Sequence, residues 1–153
     1  LVPQQQGPEG LPWQGAQMTL PNAASLVATR LQAASMGTLG TDIFIGAEQP
    51  SISTGVPAAA IFCVATGGPA QDDFCGDAPH GINMQRVQVV VRGAVEDPET
   101  VFTKARNVWD ALHLCTITNV LRCATQQSGP VDMGKNDQEQ PRWSINLELW
   151  AQV

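Results

Sequence analysis

Two stretches of the chain alternate apolar and polar residues with a period of two. In 86–92, Val87, Val89 and Val91 fall on one side and Arg86, Gln88 and Arg92 on the other, with Val90 the exception. That period predicts a half-buried strand with its arginines in solvent. In 142–151, Trp143, Ile145, Leu147 and Leu149 share one face, while Ser144, Asn146, Glu148 and Trp150 share the other, which predicts a second. The unbroken apolar run 58–65 predicts a strand covered on both faces. Shorter strands are expected at 42–46 and 116–125. Two segments follow the helical period instead. In 22–36, Leu26, Val27, Arg30, Leu31 and Ala34 make one stripe behind a capping Asn22, with Gly37 as the left-handed stop. In the other, Asp97-Pro98-Glu99 supplies an N-cap, a proline at the first helical position and an acid in the first turn. Val101, Ala105, Val108, Ala111 and Leu112 form its buried stripe, flanked by Phe102 and Trp109.

The remaining segments lack periodicity. Pro3, Pro8 and Pro12 interleave with Gly7, Gly10 and Gly15, so residues 1–21 read as an extended arm. Leu11, Trp13 and Met18 are apolar within it, and Trp13 either tucks onto its own domain or docks on a neighbouring chain. Two long Gly- and Pro-containing loops are expected at about 66–82 and 126–141. The order is therefore arm, helix, strand, strand, loop, strand, helix, strand, loop, strand. Strands outnumber helices without strict alternation, which predicts an α+β fold. It is a mainly antiparallel sheet of four to five strands with both helices on one face, forming a single domain over 22–153 behind the arm.

Composition narrows the function. With 8 Lys+Arg against 14 Asp+Glu the net charge is −6, and the cations are scattered, which argues against gripping nucleic acid or an anionic membrane. Only 14% of the 153 residues are charged, so the surface is built largely of neutral polar groups. The longest uncharged apolar stretch, 56–65, is far shorter than the roughly 20 residues a membrane helix needs. The first residues show neither a basic nor an apolar region of a signal peptide.

Catalytic raw material is sparse. His113 falls at the end of the second helix, where a cation meets the negative end of the dipole. His80 follows Cys75 in the first long loop with Asp72, Asp73 and Asp77 nearby, but paired ligands at zinc spacing are missing, so no metal site is expected. Thr66-Gly67-Gly68-Pro69 lacks the Lys-Ser/Thr ending of a phosphate loop and reads as a turn leaving a strand. Cys63, Cys115 and Cys123 lie in apolar runs and read as reduced, packed thiols. No catalytic residue, cofactor or metal is expected. Leu11, Trp13, Met18, Phe74 and Trp150 are the candidates for contact with partners.

Taken together, Asp42-Ile43-Phe44-Ile45-Gly46, the apolar strand ending in Thr66-Gly67-Gly68-Pro69, Val87–Gly93 ending in Val-Arg-Gly, the helix carrying Ala105-Arg106 and Val108-Trp109-Asp110-Ala111-Leu112-His113, and the closing strand Arg142-Trp143-Ser144-Ile145-Asn146-Leu147-Glu148-Leu149 resemble phage tail-terminator and minor capsid proteins, in order and spacing over about 22–151. The resemblance implies a non-enzymatic virion protein of the neck or tail, assembled in the host bacterial cytoplasm. It implies a hexameric ring that ends the tail tube, contacts the tail tube protein and a head-completion or connector protein, and lets DNA pass without binding it. The long arm, the Cys- and Asp-containing loop and the four cysteines depart from that pattern. The alternatives are another neck or tail adaptor, such as a head-completion subunit, or, in a different class, a small cytosolic ligand-binding or metal-dependent enzyme.

Overall fold

The computed structural model describes residues 22–51, 55–68 and 82–152. Among them are two helices and six strands: α1 (Ala23–Ala33), β1 (Ile43–Ile45), β2 (Ala60–Gly67), β3 (Ile82–Arg92), α2 (Pro98–Leu112), β4 (Arg122–Thr125), β5 (Val131–Lys135) and β6 (Pro141–Gln152). They form the expected α+β fold, with the strands in the order β1-β2-β3-β6-β4 and β5 also paired to β6. The sheet is mixed rather than purely antiparallel, because β1 runs parallel to β2.

Its centre is the antiparallel pair β3–β6, in register from Ile82 opposite Gln152 to Arg92 opposite Arg142. The alternation in both strands sends one set of side chains to each face. Val87, Val89, Val91, Ile145, Leu147 and Leu149 share a core with Val27, Ala28 and Leu31 of α1 and with Val101, Ala105, Val108 and Leu112 of α2. Both helices therefore lie on one face. Helix α1 packs over β1, β2 and β3, and α2 over β3, β4 and β6. The caps are those the sequence predicts: Asn22 Oδ1 accepts from the Ala24 N–H at 2.8 Å, and Asp97 Oδ1 accepts from the Thr100 N–H at 3.4 Å.

Four expectations need correction. Helix α1 stops earlier than residue 36, and Ser35, with φ 62°, takes the left-handed position. Gly37 is required for a different reason: a Cβ there would lie 2.6 Å from Asp42 Oδ1. The strand expected over 116–125 is confined to Arg122–Thr125. Thr116, Ile117 and Val120 suit a strand, but Leu114 (φ 57°) and Asn119 (φ 67°) turn the backbone out of the extended region. The loop expected over 126–141 contains β5, whose five residues are all exposed, so neither of its faces is buried. Finally, Arg92 does not face solvent; it is 1% exposed.

Strands β4 and β5 lie along the same side of β6, against 147–150 and 141–144 respectively. They form one sheet edge interrupted at 126–130. At the other side, Gly67 (φ 79°) ends β2, and a Cβ on Gly68 would approach the Met84 carbonyl to 2.2 Å. The Gly-Gly pair thus serves the turn and a close backbone approach.

Leu112 is fully buried between α2 and the sheet. Leu112→Ala is expected to destabilise the domain by about 2–5 kcal/mol, read as a lower midpoint in urea or thermal unfolding. An unchanged midpoint would mean that α2 does not carry the core.

Candidate interaction surface

The second face of the sheet is divided in two. Because β1 and β2 are parallel, the chain joining them must return along the length of the pair, and it does so across this face. Val56 of that joining segment packs with Ala60, Phe62 and Val90 in a small second core, with Phe44 packed against it. Arg92 and Arg142 stand opposite each other on neighbouring strands, an arrangement that is unfavourable for like charges. Glu48 resolves it. Its Oε1 accepts from Arg142 Nη1 at 3.0 Å and its Oε2 from Arg92 Nη1 at 3.4 Å. Asn136 Nδ2 adds a third donor to Oε2 at 3.0 Å. The rest of the Arg92 fork is used as well: Nε donates to the Ala58 carbonyl and Nη2 to the Pro57 carbonyl, both at 2.9 Å, and Nη1 also donates to the Gln49 carbonyl. Its guanidinium lies 4.9 Å from the Phe62 ring centroid. Burial alone would raise the Glu48 pKa, but hydrogen bonds from Arg142 and Asn136, the Arg142 charge and the Arg92 hydrogen bond outweigh it and hold the carboxyl below its ordinary 4.5. A further tie joins Ser51 to the hairpin, where Gln140 Nε2 donates to Ser51 Oγ at 3.0 Å.

The other half of this face is open and polar. Arg86 pairs with Glu148 at 3.3 Å, and Asn146 Nδ2 donates to Gln127 Oε1 at 3.3 Å. At its end Met84, Trp150 and Arg122 form a row across three strands. The Arg122 guanidinium sits 5.2 Å from the Trp150 ring centroid, leaving the indole half-buried. Of the residues singled out in the sequence for partner contact, Trp150 is therefore on a surface that can be reached. Leu11, Trp13, Met18 and Phe74 lie outside the described residues, as do Cys75 and His80.

Sequence reasoning missed two exposed leucines in the segment between α2 and β4. Leu114 and Leu121 are 59% and 61% exposed; the Leu121 N–H donates to the Trp150 carbonyl at 2.7 Å and the Leu114 N–H to the Cys123 carbonyl at 2.9 Å. Leu121 was concealed in the middle of an expected strand. Val131 and Met133 on β5, and Leu39 and Ile45 at the β1 edge, are further exposed apolar side chains. Exposed aliphatic groups thus flank both edges of the sheet.

Several polar groups among the described residues are engaged in local structure. A cleft of about 200 Å³ between the end of α1 and the start of α2 is lined by Met36, Ile61, Val91 and Val101 among others. The Asp42 carboxylate there accepts from the Thr38 N–H, Asp97 caps α2, and the Lys104 ammonium donates to the Met36 carbonyl. His113 stacks on Trp109 at 4.7 Å, and its Nδ1 accepts from the Thr125 N–H at 3.3 Å. The ring thus joins the end of α2 to β4. Burial pushes the Cys63 thiol up to about 12, which makes it inert. No group of three or more metal-ligating side chains occurs among the described residues, and no helix among them is long and apolar enough to cross a membrane.

No family model matches the sequence, and no curated protein does. Among solved structures, a chain of the "virion of native gene transfer agent (GTA) particle" matches with a TM-score of 0.58, over 86% of this chain and 96% of that one, at 14% identity. At that identity the likeness establishes a shared fold, and it extends over nearly all of the virion chain.

Glu48→Gln removes the charge that separates Arg92 from Arg142. It is expected to cost about 1–2 kcal/mol near neutral pH, less than a fully buried pair because the Glu48 side chain is 19% exposed. Because the folded carboxyl has the lower pKa, its contribution is complete above about pH 4.5 and is lost as the pH falls through the folded value. Urea unfolding of both proteins from pH 7 to pH 3 should show the gap closing in acid; a constant gap would exclude the charge as its source.

Proposed function

We propose that the chain is a structural subunit of a tailed virion, a tail terminator whose copies close into a hexameric ring at the end of the tail tube. The observation that carries this reading is the fold shared with a virion chain along 86% of this chain and 96% of that one. The order and spacing of segments that resemble tail terminators support it from the sequence side.

The surface suits such a part. A ring is made by head-to-tail contacts, in which two different patches of each copy meet. The β5 edge with Val131 and Met133, and the β1 edge with Leu39 and Ile45, lie on opposite sides of the sheet and both expose aliphatic groups. The end bearing Trp150 and Leu121 is left for a different neighbour, a tail tube or a head-completion or connector protein. An indole held by an arginine offers a rigid, amphipathic contact of the kind that dominates interfaces. The net charge of −6 suits a conduit that DNA traverses without adhering, since phosphate contacts would add binding free energy and drag. The arm, with Leu11, Trp13 and Met18, is assigned to docking on an adjacent subunit. The virion neck is the location this reading gives the protein.

Two measurements test it. Averaged images of intact particles should show a symmetric ring of this protein at the neck, most simply with six copies; decoration by single copies would overturn the proposal. Deleting residues 1–18 should leave a soluble, cooperatively melting domain that assembles poorly, giving unjoined heads and tails or tails of uncontrolled length. Normal assembly without the arm would exclude the docking role of Trp13. An unfolded product would place the arm in the core.

A further inference from the structure

The three described cysteines fall into two environments. Cys63 is buried in β2. Cys115 and Cys123 instead meet where the chain leaving α2 turns back into β4. The Leu114 N–H donates to the Cys123 carbonyl at 2.9 Å and the Cys115 N–H to the Leu112 carbonyl at 3.3 Å. Cys123 Sγ lies 3.5 Å from that same Leu112 carbonyl, so the two cysteines meet around one acceptor. Arg30 approaches from α1: its charge acts on both thiols, and its Nε is buried with no hydrogen-bond partner. A buried guanidinium nitrogen without an acceptor favours negative charge beside it. Cys115 is half-buried and Cys123 fully buried, so a small reagent meets Cys115 first.

We propose that Cys115 and Cys123 form a reactive dithiol, with Cys115 as the attacking thiolate, Cys123 as the resolving thiol and Arg30 as the group that positions and stabilises the thiolate. The partner chemistry is a low-molecular-weight disulfide. The Cys115 thiolate attacks one of its sulfurs, an S–S bond forms to Cys115, and one small thiolate leaves. The Cys123 sulfur then attacks the Cys115 sulfur and gives up its proton, and the second small thiolate departs with a proton as a thiol. Two protein thiols are oxidised to one disulfide, and one small disulfide is reduced to two thiols.

The electrostatics agree with this division of roles. The neighbouring Cys123 thiol, against the opposing effect of burial, and then the Arg30 guanidinium bring Cys115 down to about 7. Cys123 is raised by its neighbour Cys115 and by burial. The product would close the loop between α2 and β4 covalently. That loop carries Leu114 and Leu121, so the bond would fix the backbone that presents them. The proposal does not depend on the virion reading.

The test uses the full-length reduced protein and oxidised glutathione at pH 7, quenched in acid, alkylated and mapped by peptide mass spectrometry. The expected product is a Cys115–Cys123 disulfide, preceded by a glutathione adduct on Cys115, with Cys63 unmodified. In Cys123→Ser the adduct should accumulate on Cys115; in Cys115→Ser the oxidation rate of Cys123 should fall at least tenfold. Arg30→Gln should slow iodoacetamide alkylation of Cys115 several-fold, and Arg30→Lys should restore most of it. Should either Arg30 variant fail to fold, the contrast between Cys115 and Cys63 in the unaltered protein decides. Equal rates at those two sites, a bond from Cys115 to Cys75 instead of Cys123, or an unchanged Cys123 rate in Cys115→Ser would overturn the proposal.

Discussion

Two guanidinium groups placed side by side on adjacent strands repel each other, and neither can move without slipping the strands. Arg92 and Arg142 are held in this way by the β3–β6 register, and a slip of one residue would send every core side chain of a strand to the wrong face. The register is therefore fixed by the apolar face, and the opposite face must accommodate the charges. Glu48 does so from a loop more than forty residues away from Arg92 in sequence. In accepting from both arginines it also anchors the chain that crosses from β1 to β2. Asn136 then ties the β5–β6 hairpin to the same carboxylate. The second core around Phe62 and Val90 is closed by this arrangement.

The legible parts of the chain were those in which local pattern and tertiary demand coincide. The alternation of Val87, Val89 and Val91 and of Ile145, Leu147 and Leu149, and the Asp97-Pro98 cap, describe the helix-covered face of the sheet correctly. Arg92 was misread because alternation registers only that a residue is polar, while its burial depends on Glu48 and on carbonyls at 49, 57 and 58. Strand β5 was invisible because it is held by backbone bonds to β6 and contributes no buried side chain. Residues 116–121 erred the other way, since β-branched residues carry strand propensity but say nothing of the left-handed turns at Leu114 and Asn119. On the candidate surface, Trp150 could be read from the sequence because it interrupts the polar side of β6. Leu114 and Leu121 could not, because exposure of an isolated leucine has no periodic signature.

The molecule spends several of its few charged groups on holding loops in place. Asp42 and Asp97 satisfy backbone donors, Lys104 caps the chain after α1, and Glu48, Arg92 and Arg142 are bound to one another. What faces outward mixes amides, hydroxyls and aliphatic side chains with separated charges such as Glu96, Glu99, Arg106, Asp110, Lys135 and Glu139. Such a surface is suited to contacts made by shape and apolar area, with little long-range steering by charge.

The interrupted edge formed by β4 and β5 bears on solubility. A long, flat, unpaired strand offers its free N–H and C=O groups to any extended chain and invites unlimited sheet growth. Here the edge is cut at 126–130 into pieces of four and five residues, and the register shift between Asp132 and Gly134 adds local twist to the second. Only short segments can add to it, and they cannot run on past the break. At high concentration the fold is thereby guarded against fibrillar aggregation at this edge.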